Sequence, residues 1–101
     1  MNTVVVRYRT KPEHADENQR LVEAVFADLA ATNPDGIAYA TYRLADETFV
    51  HIAAIDGENP LTSSDAFATF QAGLGDRCDD GPDPQAATLV GSYRFTPKVT
   101  A

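Results

Sequence analysis

The chain has 101 residues, 44% hydrophobic and 23% charged, which is the make-up of one ordinary globular domain with a single core and not of a disordered or fibrous segment. Its formal net charge of −7, with eight basic residues scattered along the sequence, argues against a phosphate-binding surface and against attachment to an anionic membrane face. Residues 1–101 therefore read as a single domain with no nucleic-acid and no membrane partner. The lone Cys78 cannot close an intramolecular disulfide, and no Cys and His spacing matches a structural zinc site, so a reducing compartment is expected. The opening Met1-Asn2-Thr3 runs into Val4-Val5-Val6 and then Arg7, too short and too soon charged for a signal peptide. No apolar run approaches membrane-spanning length, and the expected location is the cytoplasm.

From Thr3 to Arg9, Val4, Val6 and Tyr8 alternate with Val5, Arg7 and Arg9, the period-two pattern of a first strand. Thr10-Lys11-Pro12-Glu13 has capping-box spacing, with Pro12 suited to a first helical turn and Glu13, Asp16 and Glu17 at the positive end of a helix dipole. Val22, Val25, Phe26 and Leu29 then form one apolar stripe, which Asn33-Pro34-Asp35-Gly36 ends. Ile37–Leu44 and Thr48–Ile55 read as two strands joined by Ala45-Asp46-Glu47, a hairpin length that lacks the usual glycine. Ser63-Ser64-Asp65 supplies capping chemistry for a second helix carrying Phe67, Phe70 and Leu74. Gly73 and Gly75 each cost about 1 kcal/mol in a helix interior, so this helix should end near Arg77, frayed unless something pins it. Asp79-Asp80-Gly81-Pro82-Asp83-Pro84 reads as a loop by composition, and Ala87–Phe95 as the last strand.

The order β-α-β-β-α-β predicts an α+β, ferredoxin-like fold: a four-stranded antiparallel sheet with both helices on one face. Tyr42 and Leu44 are out of phase with Ile37 and Tyr39, and Val50 and Ile52 with Phe49 and Ile55, so both sheet faces carry apolar side chains. The face without helices then needs a cover, and pairing with a second copy about a two-fold axis is the economical one. A homodimer is expected.

In this layout the sequence resembles the dimeric α+β barrel superfamily, including the antibiotic-biosynthesis-monooxygenase-like proteins. The resemblance rests on TVVVRYR, KPEH, the paired IAYATYRL and TFVHIAAID, AFATFQAG and TLVGSYRF, and spans Thr3 to Phe95. It implies a dimer whose sheets face each other, with a small, often aromatic ligand held between each sheet and its helices, and in some members a cofactor-free monooxygenase on phenolic or quinol compounds. The haem-degrading branch is disfavoured, because its Asn, Trp and His set is not matched in a chain without Trp.

The residues suited to such chemistry are few. His51, mid-strand between Val50 and Ile52, suits proton abstraction or a structural hydrogen bond. Tyr8, Tyr39, Tyr42 and Tyr93, with Phe26, Phe49, Phe67 and Phe70, suit either a pocket that orients a planar molecule or plain core and interface. Arg43 and Arg94 suit oxyanion stabilisation, or ion pairs with Asp46, Glu47 or Asp56. The candidate catalytic set is therefore His51, Tyr42, Arg43 and Arg94, and the candidate substrate-binding set Tyr39, Phe49, Phe67, Phe70 and Tyr93, with no cofactor and no metal. Asp76, Asp79, Asp80 and Asp83 fail the calcium-loop pattern, since the third position is Cys78 and the twelfth Ala87. The expected function is binding of a small aromatic ligand with cofactor-independent oxygenation, the competing reading being a non-catalytic dimeric stress-related or regulatory module.

Overall fold

The computed structural model describes residues 2–95. Strand β1 (Asn2–Thr10) leads through a short 3-10 turn (Pro12–His14) into helix α1 (Ala15–Thr32), followed by the hairpin β2 (Ile37–Arg43) and β3 (Thr48–Ile55). A second 3-10 turn (Pro60–Ser63) precedes α2 (Asp65–Ala72), the single turn α3 (Leu74–Arg77) and the final strand β4 (Cys78–Ala87). The strands form one antiparallel sheet in the order β2-β3-β1-β4, the ferredoxin-like arrangement. In the single chain this sheet is open and does not close into a barrel. Among the described residues no helix is long and apolar enough to cross a membrane.

Register decides what faces what. Tyr8 lies opposite Phe49, Val6 opposite His51 and Val4 opposite Ala53, while Thr41 lies opposite His51 and Tyr39 opposite Ala53. With side chains alternating along each strand, all of these share the face that packs against Val22 and Val25 of α1 and Phe70 of α2. Tyr8 and Phe49 are buried and stacked, with ring centroids 5.5 Å apart. Each such side chain contributes roughly 1.5–3 kcal/mol through burial, which is what fixes the helices on this face. Val5, Ala40, Ile52 and Ala54 lie on the opposite face. There a hollow of about 590 Å³ opens between these residues and Leu89 and Phe95.

Two local expectations are corrected, and the glycine-free hairpin is explained. The capping box does not form: Thr10 is buried at the end of β1, its amide donates to the Glu47 carbonyl at 3.1 Å, and the cap position passes to Lys11, which makes no side-chain capping bond. The hairpin loop is closed without glycine, because Glu47 itself takes a left-handed conformation with φ of 69°. The last strand is Cys78–Ala87, not Ala87–Phe95; residues 88–95 form no strand, and the segment read as a loop is the edge of the sheet. The physical reason is the edge position: β4 pairs with β1 alone, so half of its N–H groups face no partner and Pro82 and Pro84 are tolerated. Gly81 is required by closeness, since a Cβ there would stand 2.8 Å from the Arg7 carbonyl oxygen and its φ is 90°.

The second helix behaves as its glycines imply, breaking at Gly73, but its end is pinned and not frayed. Ser64 caps α2 by accepting from the Phe67 amide at 3.1 Å, and the burial of Arg77 is the packing that holds the end, the second of the two outcomes the sequence left open.

Candidate functional site

A cavity of about 250 Å³ lies between the sheet and the α2–α3 segment. Val4 and Val6 of β1, Ala53 and Ile55 of β3, and Phe67, Phe70 and Leu74 of the helical side make it apolar, with Leu61, Pro82 and Pro84 filling its flanks. The polar groups on its wall are Tyr8, Tyr39 and His51, together with Asn59 and Gln71. Few polar groups in an apolar concavity is the usual composition of a small-molecule site, although the volume falls below the customary range of about 300–1,000 Å³.

The polar wall is one connected network. The Tyr8 hydroxyl is 2.7 Å from His51 Nε2, and the Tyr39 hydroxyl is 2.6 Å from His51 Nδ1, with Thr41 Oγ1 at 3.1 Å from the same nitrogen. Behind Tyr8, Asn18 Nδ2 donates to the phenol oxygen at 2.9 Å, and Arg77 Nε donates to Asn18 Oδ1 at 3.0 Å. Arg77 Nη2 donates to the Phe70 carbonyl at 2.6 Å, and its guanidinium stands 5.6 Å from the Phe70 ring centre. The buried cation is thus compensated by a carbonyl in the last turn of α2 and by an aromatic face. Among the described residues every buried side-chain nitrogen and oxygen has at least one hydrogen-bond partner.

Burial controls its protonation. His51, 5% exposed, is pushed down to a pKa of about 4 by desolvation, so the ring is neutral at pH 7. Tyr8 and Tyr39 are both pushed above the usual phenol value by burial, opposed at Tyr8 by the Asn18 hydrogen bond and at Tyr39 by one from Thr41. The resting network is therefore uncharged from His51 to both phenols, with the Arg77 charge at its far end.

The structure brings together some of the residues that the sequence singled out and separates others. His51, Tyr39, Phe67 and Phe70 line the cavity. Phe49 is buried in the core behind Tyr8 and does not reach it. Arg43 lies at the outer end of β2, where it donates to Asp16 at 3.0 Å, to Gln19 at 2.7 Å and to Glu47. Tyr42 is 43% exposed on the opposite sheet face, near Phe95, and Tyr93 and Arg94 lie in the exposed segment after β4. Tyr42, Arg43, Tyr93 and Arg94 are therefore outside the cavity wall.

Asn18 and Arg77 were missed, although each carries a readable signal. Asn18 stands four residues before Val22 and seven before Val25, a polar residue on the apolar stripe of α1. Arg77 continues the Phe70–Leu74 stripe at i+7 in the same way. A polar residue in a helix's buried row has to find a partner, and here the two found each other.

No protein-family model matches the chain, and no curated protein matches it. Among solved structures, the chain is similar to a conserved protein from Methanosarcina mazei Go1, with 20% identity, 85% of this chain and 89% of that chain covered, and a TM-score of 0.68. A structure described as an antibiotic biosynthesis monooxygenase shares 17% identity over 90% of this chain and 100% of its own, with a TM-score of 0.71. A protein from Caulobacter crescentus CB15, provisionally assigned to the same class, shares 19% identity over 89% of this chain and 90% of its own, also at 0.71. The chain has the ferredoxin-like fold of these proteins. At such identities the likeness establishes the fold and leaves the chemistry to the site.

The depressed His51 pKa makes one contribution to the pH dependence of stability. Between about pH 6.5, the ordinary histidine value, and about 4, the unfolded chain binds a proton that the folded chain does not, so stability rises with pH across that window. It is complete above the window and lost progressively as the pH falls through it, by about 3 kcal/mol in all. Asp46, held below 3.8 first by its side-chain hydrogen bond with Thr48, contributes its own loss only at lower pH. Urea unfolding at pH 7.5 and pH 4.5 should show this drop, and His51→Gln should flatten it; equal slopes in the two proteins would remove the buried neutral imidazole from the account.

Proposed function

We propose that the protein binds a small planar phenol or quinol in the cavity beside His51 and oxidises it with dioxygen as the only co-reactant. The observation that carries this reading is an apolar concavity of about 250 Å³ with the Tyr39–His51–Tyr8 network on its wall. Its size suits a molecule of one or two rings. The description of structural neighbours as antibiotic biosynthesis monooxygenases favours the same class.

The chemistry balances without a cofactor. A phenol carrying a ring C–H loses that hydrogen and its hydroxyl hydrogen; one oxygen atom of dioxygen becomes the new carbonyl oxygen and the other leaves as water with both hydrogens. The electrons come from the substrate, which binds as the phenolate after giving its hydroxyl proton to bulk water. The protein therefore has to supply a dry, oriented site and stabilisation of that oxyanion as it reacts with dioxygen; the proton is recovered in the water released. His51 has both ring nitrogens occupied and a pKa of about 4, some six units below an ordinary phenol near 10. Those properties favour His51 as the group that orients the tyrosines over His51 as the proton abstractor.

We also propose that a second copy of the chain covers the outer sheet face. Val5, Ala40, Ile52 and Ala54 lie on it, and Leu89 and Val90 in the segment after β4 are 74% and 99% exposed, large apolar side chains that a second copy would cover. Sedimentation at micromolar concentration should report a dimer that Ile52→Asp converts to monomer; a stable wild-type monomer would end the dimer reading.

The binding reading is checked with 1-naphthol. Calorimetry should show one site per chain, weakened at least tenfold by Ala53→Phe, which fills the cavity, and dioxygen uptake should match 1,4-naphthoquinone formation one to one. Binding without turnover would confine the protein to a ligand-binding role, and unchanged affinity in Ala53→Phe would place the ligand elsewhere.

A further inference from the structure

The network has a direction, and the direction is set at its far end. Arg77 Nε has only a proton to offer, so the amide oxygen of Asn18 faces it at 3.0 Å and the amide nitrogen faces Tyr8 at 2.9 Å. The Tyr8 oxygen therefore accepts, and its own proton must go elsewhere. Tyr8 is 2% exposed, and the acceptor within reach is His51 Nε2 at 2.7 Å. A neutral imidazole carries one N–H. With Nε2 accepting, that proton sits on Nδ1 and is donated to the Tyr39 oxygen at 2.6 Å, with Thr41 Oγ1 beside it at 3.1 Å. The opposite tautomer would make Tyr8 accept from both Asn18 and His51 and leave a buried phenol proton without an acceptor.

Tyr39 is then the last member of the chain. Its oxygen is occupied by an incoming hydrogen bond, its hydroxyl hydrogen is not needed by His51, and its side chain lines the cavity. We propose that Arg77, acting through Asn18 and Tyr8, holds His51 in the Nδ1–H form and so leaves the Tyr39 hydroxyl as the donor that the cavity offers to a carbonyl or phenolate oxygen of its ligand. Arg77 and Asn18 are positioning residues; Tyr39 is the group that touches the ligand. The burial that keeps His51 and both phenols uncharged supports this, since the direction would be lost if any of them ionised. The Tyr39 role rests on the cavity reading above, whereas the direction of the network does not.

The direction is tested without ligand by nitrogen NMR of ¹⁵N-histidine-labelled protein at pH 7.5, which distinguishes a protonated Nδ1 from a protonated Nε2. Wild type should show Nδ1–H. Asn18→Asp should reverse it: a carboxylate has no proton to give, still accepts from Arg77, and takes the Tyr8 proton, so Tyr8 accepts from Nε2–H and Tyr39 turns its proton to Nδ1. Nε2–H in wild type, or the same tautomer in both proteins, overturns the proposal. The ligand role is tested by the infrared carbonyl band of bound 1,4-naphthoquinone, expected at lower frequency in wild type than in Tyr39→Phe or Asn18→Asp. Equal frequencies in wild type and Tyr39→Phe overturn the donor role. Failure of naphthoquinone to bind at all overturns the cavity reading and the Tyr39 assignment together, while the tautomer result continues to judge the network by itself.

Discussion

A neutral imidazole in the middle of an apolar sheet face needs one donor and one acceptor close at hand, and much of this structure is arranged around meeting that need for His51. Tyr8 approaches from β1 and Tyr39 from β2, one on each side of β3, so the ring is bridged across three adjacent strands. Leaving either ring nitrogen without its partner would cost on the order of 1–3 kcal/mol, enough to matter in a domain whose whole stability is of the order of 10 kcal/mol. The bridge then needs an anchor, because Tyr8 requires its own donor. Asn18 brings α1 into the network, and Arg77 brings in the end of the α2–α3 segment. One buried hydrogen-bonded string thus joins three strands and both helical elements, and the cavity is the apolar space left beside it.

The two faces of the sheet solve different problems. On the helix side, stacking of Tyr8 on Phe49 and of Phe26 on Tyr39 fills the interior around the string, so the phenol groups of Tyr8 and Tyr39 are positioned by packing as well as by hydrogen bonds. On the other side, Tyr42, Val50 and Ile52 meet no helix, and the segment after β4 lies beside them with its own large apolar side chains exposed. The alternation of each strand thus gives the helix-covered face a cavity with fixed polar groups on its wall and leaves the other face an open apolar surface.

Local pattern made most of the architecture readable. Period-two alternation gave β1, the β2–β3 hairpin and the phase difference between the two sheet faces, and the stripe of Val22, Val25, Phe26 and Leu29 gave α1. Composition misled at β4, because Asp79-Asp80-Gly81-Pro82-Asp83-Pro84 looks like a turn until its edge position is known, and an edge is a property of the assembled sheet and not of the segment. His51 and Tyr39 stood out as polar groups on strands, but their meeting depends on register, which places Thr41 opposite His51 and Tyr39 opposite Ala53 on the same face. Arg43 looked equally suited to chemistry and is instead held at the outer end of β2 by Asp16, Gln19 and Glu47, partners distributed over α1 and the hairpin loop. Asn18 and Arg77 are 59 residues apart in sequence, and only the packing of α1 against the end of α3 makes them one unit.

The most direct test of the account is a crystal structure of the protein with 1,4-naphthoquinone. The ring should occupy the space between Phe67, Phe70, Leu74 and Ala53, with one quinone oxygen within hydrogen-bond distance of the Tyr39 hydroxyl and no direct contact to His51. An empty inner cavity, with the quinone seated on the outer sheet face between Ile52 and Leu89, would contradict it.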